Sequence, residues 1–119
     1  MLENRLPHDH GQSIEALNER IPKTEDFRVI AEIFKQLGDM SRVKIFWLLC
    51  HCEECVINIS ALMEMTSPAV SHHLRQLKAS GLIVNRREGK EVYYKAADSA
   101  QAKLLHEMIE RMTEIACPF

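Results

Sequence analysis

The sequence predicts a small, mainly α fold: five to six helices and one β-hairpin. Three observations predict it. Apolar residues recur at helical spacing from Phe27 onward. A stretch from Thr66 to Ser80 buries one stripe and stops at Gly81. Two β-rich runs, LIVNRR and KEVYYK, then flank Glu88-Gly89.

Taken in order, residues 1–12 read as a flexible N-terminal arm and residues 13–119 as one domain. Ser13 is placed to cap a short helix, IEALNER, ended by Pro22. Thr24 is expected to cap a stronger helix, with Glu25 and Asp26 in its first turn and Phe27, Ile30, Ala31, Phe34 and Leu37 at helical spacing; Gly38 is its expected stop. Asp39 caps the next, SRVKIFWLLC. Its apolar set, including Trp47, covers most of the circumference, so it is expected at the centre of the core.

A short helix over about 57–65 should turn Ile59, Leu62 and Met63 inward. Thr66 or Ser67 caps the following helix, Pro68 suits its first turn, and Val70, Leu74 and Leu77 form its inner stripe at i, i+4, i+7. Two helices joined by about three residues match helix-turn-helix spacing. With the hairpin as a wing, this is a winged helix-turn-helix. The last helix, about 99–116, has a broad apolar face (Leu104, Leu105, Met108, Ile109, Met112, Ile115) that a small domain cannot cover, so a homodimer is expected.

With 46% hydrophobic and 27% charged residues, the chain reads as globular. It has no run long enough to span a membrane and no secretory block at its start, so a soluble cytoplasmic location is the expectation. A net charge of −2 hides segregation: residues 66–95 carry six basic and two acidic side chains, and the rest carry nine and fifteen. Phosphate binding needs such local positive charge.

The helix from Pro68 turns Ser71, Arg75 and Lys78 outward, flanked by His72 and Gln76; Ser67, Pro68 and Ala69 are small enough to permit close approach to a groove. Arg reads guanine bidentately, Gln reads adenine, and Ser or His bonds bases or phosphates. Arg86, Arg87 and Lys90 near the hairpin tip suit backbone or minor-groove contact. His73 lies nearer the buried side and reads as packed. The partner implied is double-stranded DNA, with two copies of the helix about 34 Å apart on a palindromic operator.

FKQLGDMSRVKIFWLL, SPAVSHHLRQLKASGLI and RREGKEVYYK, in this order, resemble the helix junction, recognition helix and wing of the ArsR/SmtB family of bacterial metalloregulatory repressors, over about residues 25–116. The resemblance implies a homodimeric repressor that releases its operator when an inducer binds, with interface residues from the first and last helices. It carries DNA contact to Ser71, His72, Arg75, Gln76, Arg87 and Lys90.

It also implies a sensing cysteine just before the helix-turn-helix, and Cys55 in EECVIN matches. Ile57 and Asn58 stand where family members place a second cysteine or an aspartate. Cys50 and Cys52 lie upstream instead, and Cys50-x-Cys52-x-x-Cys55 is a set of three thiolates for one soft ion: Zn, Cd, Pb, Cu(I) or As(III). Cadmium-type sensors complete the site from the other subunit's arm, which here offers His8, Asp9 and His10. Cys117 is a further candidate ligand. The family's other site, on the last helices, keeps Asp98 but has Ala100, Arg111 and Glu114 at the remaining positions. His106 and Glu110 share a helix face at i, i+4 and read as a surface pair.

The same thiols leave two alternatives: a redox or reactive-sulfur sensor on this scaffold, or a constitutive winged-helix module with packed cysteines. No organic cofactor is expected. No phosphate loop, activated serine or paired catalytic carboxylate points to an enzyme.

Overall fold

The computed structural model describes residues 6–117. The first five residues of the expected arm therefore lie outside the described residues. Six helices and three strands follow in the order α1 (Ile14–Arg20), α2 (Thr24–Gln36), α3 (Met40–His51), β1 (Glu54–Cys55), α4 (Val56–Met63), α5 (Ser67–Ala79), β2 (Ile83–Glu88), β3 (Glu91–Ala96) and α6 (Ala100–Ala116). The described residues form two compact units, divided inside α2 between residues 31 and 32.

In the first unit, Ser13 makes no side-chain cap bond to α1. Thr24 is the first residue of α2 rather than its cap, and the Asp26 and Phe27 N–H groups donate to the Lys23 carbonyl.

The second unit carries the core. Ile45, Phe46 and Leu49 of α3, Ile59 of α4, and Val70, Leu74 and Leu77 of α5 are buried with Leu82, Ile83, Ala102 and Leu105. Two expected core members lie elsewhere: Trp47 is 41% exposed and Leu62 57%. α3 is apolar nearly all round, but α4, α5 and β3 cover only part of it. Trp47 therefore stands outside, where its N–H finds a polar partner.

Three caps fix the helix starts. Asp39 accepts from the Arg42 N–H at 3.0 Å, and this bond holds its carboxyl below the usual range. Thr66 accepts from Ala69 and Ser99 from Ala102. Arg42 also donates from Nε to the Gln36 carbonyl and approaches His73 Nδ1 at 3.4 Å. Arginine can only donate, so Nδ1 accepts. Burial lowers the His73 pKa and favours this neutral ring.

α5 ends on a Schellman motif. Leu82 N–H bonds the Leu77 carbonyl, Gly81 N–H bonds that of Lys78, and Gly81 adopts φ +74°. The turn before α5 places Glu64 at φ 55°, the single non-glycine with positive φ among the described residues.

The sheet is antiparallel with order β1-β3-β2. Gly89, at φ +62°, is first in a two-residue hairpin loop. The third strand was not anticipated: Glu54 pairs with Tyr94 and Cys55 with Tyr93, so the thiol segment is an edge of the wing.

A Cβ on Gly81 would meet nothing within 4 Å, so only the backbone opposes substitution. Gly81→Ala is expected to cost about 1–2 kcal/mol in urea unfolding, with an unchanged m value. An unchanged midpoint would contradict the αL stop.

Candidate nucleic-acid interface and thiol segment

α5 points Val70, Leu74 and Leu77 into the core and leaves His72, Arg75 and Lys78 exposed, with Ser71 and Gln76 half-buried at the margins. Ser67 is exposed at the first turn and its Oγ lies 3.2 Å from that of Ser60, which ties α4 to α5. Arg75, Lys78, Arg87 and Lys90 form no hydrogen bond or ion pair from their side chains among the described residues, and their charge faces solvent.

Arg86 differs. Its guanidinium donates to both Glu53 oxygens at 2.7–3.0 Å and to Glu88 at 2.8 Å, and it lies 4.9 Å over the Tyr93 ring. These bonds raise the Arg86 pKa and lower that of Glu53. Of the three hairpin cations read from sequence, Arg86 thus joins the wing to the thiol segment through a half-exposed side chain, and Arg87 and Lys90 are unpaired.

The cysteines occupy three different settings. Cys50 is half-buried in the last turn of α3, and burial, then the Glu110 charge, pushes its thiol up to about 11. Cys52 is exposed and donates to the Leu48 carbonyl at 3.4 Å; partial desolvation, then the Glu54 charge, raises its pKa. Cys55 is buried and serves as N-cap of α4. Beside it, Glu54 accepts from the Cys55 N–H and from Asn58. Among the described residues, the three thiols are not gathered into one ligand set.

His8 and His10 stack at 5.8 Å within the first unit, where Asp9 accepts from the Gly11 N–H. Cys117 is exposed at the end of α6 and lines an apolar groove with Phe34, Leu37, Met108 and Met112. Asp98 is paired with Lys103 at 2.9 Å.

One cluster is larger than the sequence revealed. His106 and Glu110 are not merely a surface pair on α6, because His51 of α3 joins them. The i, i+4 spacing marks two members; the third lies 55 residues away from His106 and is brought in by packing of α6 on α3.

This arrangement, a half-exposed helix held by a buried stripe beside a cationic wing, defines a winged helix-turn-helix regulator. The pattern of the bacterial regulatory proteins of the arsR family matches residues 39–84. The chain is 32% identical to the transcriptional repressor SmtB homolog of Synechocystis over 91% of its own length and 82% of the relative's. It is 38% identical to the cadmium resistance transcriptional regulatory protein CadC homolog of Staphylococcus aureus over 73% of each chain.

Among solved structures, HlyU from Vibrio cholerae superposes with a TM-score of 0.70 at 26% identity, covering 76% of this chain and 97% of that one. The homodimeric winged helix-turn-helix domain Mb0332 of Mycobacterium bovis does so at 0.67 and 26%, covering 89% and 91%. The chain belongs to the ArsR/SmtB family of bacterial transcriptional regulators. No helix among the described residues is long and apolar enough to cross a membrane.

The thiol settings predict an order of reaction. At neutral pH, iodoacetamide followed by peptide mass spectrometry should label Cys52 before Cys50 and Cys55. Equal rates at all three would contradict the burial described.

Proposed function

We propose that the chain is a homodimeric, operator-binding repressor whose thiol segment, Cys50 to Cys55, takes a thiophilic metal or metalloid ion and weakens DNA binding when it does so. The carrying observation is the pairing of Cys55 with Tyr93, which makes the sensing segment a strand of the wing. The SmtB and CadC homologs named above support the class of inducer.

The DNA face is α5 with the hairpin tip. Ser67, Ser71, His72, Arg75 and Gln76 meet base edges and nearby phosphates, and Arg87 and Lys90 meet the backbone; Arg86 acts through its clamp on Glu53. The homodimer is supported by exposed apolar side chains on one unit: Phe34 57%, Leu104 58%, Met112 61% and Ile115 82%. Monomeric proteins rarely leave so many large apolar groups to water on adjoining helices.

The ion is held by Cys50, Cys52 and Cys55 as thiolates; cadmium, lead, zinc, Cu(I) and As(III) all suit such donors. Gathering the thiols moves the end of α3, β1 and the N-cap of α4 together. That motion strains the Cys55–Tyr93 pairing and the Glu53–Arg86 bonds and so re-aims the wing. A coupling of about 1–3 kcal/mol, or about 5–150-fold in operator affinity, is the usual scale.

Fluorescence anisotropy on an operator duplex tests this reading. Arg75→Ala should abolish specific binding while leaving the fold and dimer intact. Cys55→Ser should bind DNA as the parent does and fail to release it on adding cadmium. Release by Cys55→Ser would contradict the assignment.

Protons compete with the ion. Both Cys50 and Cys52 have raised pKa values, so they are protonated at neutral pH and must lose protons to bind. The apparent metal affinity should therefore rise with pH, by about tenfold per unit for each thiol that deprotonates. A pH-independent affinity between pH 6 and about 8 would contradict thiolate ligation.

A further inference from the structure

We propose a second cation site, with ligands distinct from the thiols, formed by His51, His106 and Glu110, which takes a borderline divalent ion of the zinc, cobalt or nickel class. It does not depend on the thiol reading above. His51 Nε2 and His106 Nε2 each lie 3.0 Å from Glu110 Oε1 and 3.1 Å from each other. Three ligand atoms thus form a nearly equilateral face. Tetrahedral zinc with bonds of about 2.0–2.1 Å needs donor separations of about 3.3–3.4 Å, so each edge must open by only about 0.3 Å.

The supports are rigid. His51 closes α3, while His106 and Glu110 sit one turn apart on α6. Trp47 donates from Nε1 to the same Glu110 oxygen at 3.1 Å, and its ring lies 4.4 Å from that of His51. An outer group of this kind fixes the orientation of a metal-binding carboxylate. The three bonds to Glu110, that from His51 foremost, hold its carboxyl below the usual range, as a ligand carboxylate requires.

Hydrogen bonding alone leaves the cluster in conflict. A neutral imidazole Nε2 is either a donor or an acceptor. With both rings protonated there, two N–H groups meet at 3.1 Å. With one proton removed, a nitrogen lone pair faces the carboxylate oxygen. A cation accepts all three lone pairs at once and removes the conflict.

Two imidazoles and one carboxylate suit borderline zinc, cobalt and nickel but not cadmium, lead or Cu(I), which favour thiolates; zinc suits either donor set. The side chains of His51, Glu110 and His106 are 44%, 42% and 30% exposed, which leaves an entry path and a fourth position for water. Binding staples α6, which bears the exposed apolar face, to the end of α3 beside the thiol segment.

Cobalt(II) chloride titrated into the reduced full-length protein tests this site. Nitrogen and oxygen ligation gives visible d–d bands without the intense near-ultraviolet band of thiolate–cobalt charge transfer. The expected result is one such equivalent per protomer, retained in Cys52→Ser and Cys55→Ser. His106→Gln and His51→Gln, both surface changes checked by circular dichroism, should weaken it by at least about 100-fold, since loss of a mere outer-shell partner already costs about 10–100-fold. Zinc chloride should also shift the Nε2 resonances of both histidines in imidazole nitrogen spectra. Cobalt binding unchanged in both histidine variants, or zinc that leaves those resonances unmoved, would overturn the proposal, whatever the cysteine variants do to operator release.

Discussion

Burial of Val70, Leu74 and Leu77 against Ile45, Phe46, Leu49, Ile59 and Leu82 sets the orientation of α5, and the DNA face depends on that orientation. Each such side chain contributes about 1.5–3 kcal/mol when fully buried. Rotating the helix to hide Arg75 would forfeit most of this contribution. The Thr66 cap and the Schellman stop at Gly81 then fix where α5 begins and ends, and Arg42, in the first turn of the Asp39-capped α3, joins His73 of α5 to the Gln36 carbonyl. The exposed side chains of His72, Arg75 and Lys78 are thereby presented on a helix whose other face is buried.

The thiol segment links core helix α3 to the wing. It leaves α3 at His51, pairs with β3 through Glu54 and Cys55, and enters α4 at once. The Glu53–Arg86 clamp joins the same segment to β2. A small displacement there is felt by both the wing and the first helix of the helix-turn-helix, because both are hydrogen-bonded or packed to it directly. Burial raises the pKa of Cys50 and Cys52, so both thiols are protonated at neutral pH.

Much of this was legible in the sequence. The stripe at i, i+4, i+7 in SPAVSHHLRQLK, the caps at Asp39 and at Thr66 or Ser67, Gly81 and a glycine turn between two β-rich runs each obey local rules, and the helices and hairpin follow from them; the loop falls one residue beyond Glu88-Gly89, at Gly89-Lys90, because Glu88 pairs with Glu91. What escaped was nonlocal. Trp47 looked like core because α3 is apolar all round, and only tertiary packing shows which side remains uncovered. The two-residue β1 is too short for any alternation to register. The same holds for Arg86, whose partner Glu53 is 33 residues away, and for His51, which meets His106 and Glu110 through helix packing. Candidate ligand residues could be enumerated from sequence; which of them converge could not.

Two sets of candidate ligands on one unit thus differ in chemistry: thiols strung from the end of α3 to β1, and a gathered nitrogen–oxygen set where α3 meets α6. Both lie on the unit that carries α5, which in the function proposed above enters the major groove in each protomer. Dimethyl sulfate protection of guanine N7 on an operator duplex tests that most directly. The account predicts two protected patches, one per protomer, centred about 34 Å apart along one face of the duplex. A single patch, or major-groove guanines that remain fully reactive in the saturated complex, would contradict it.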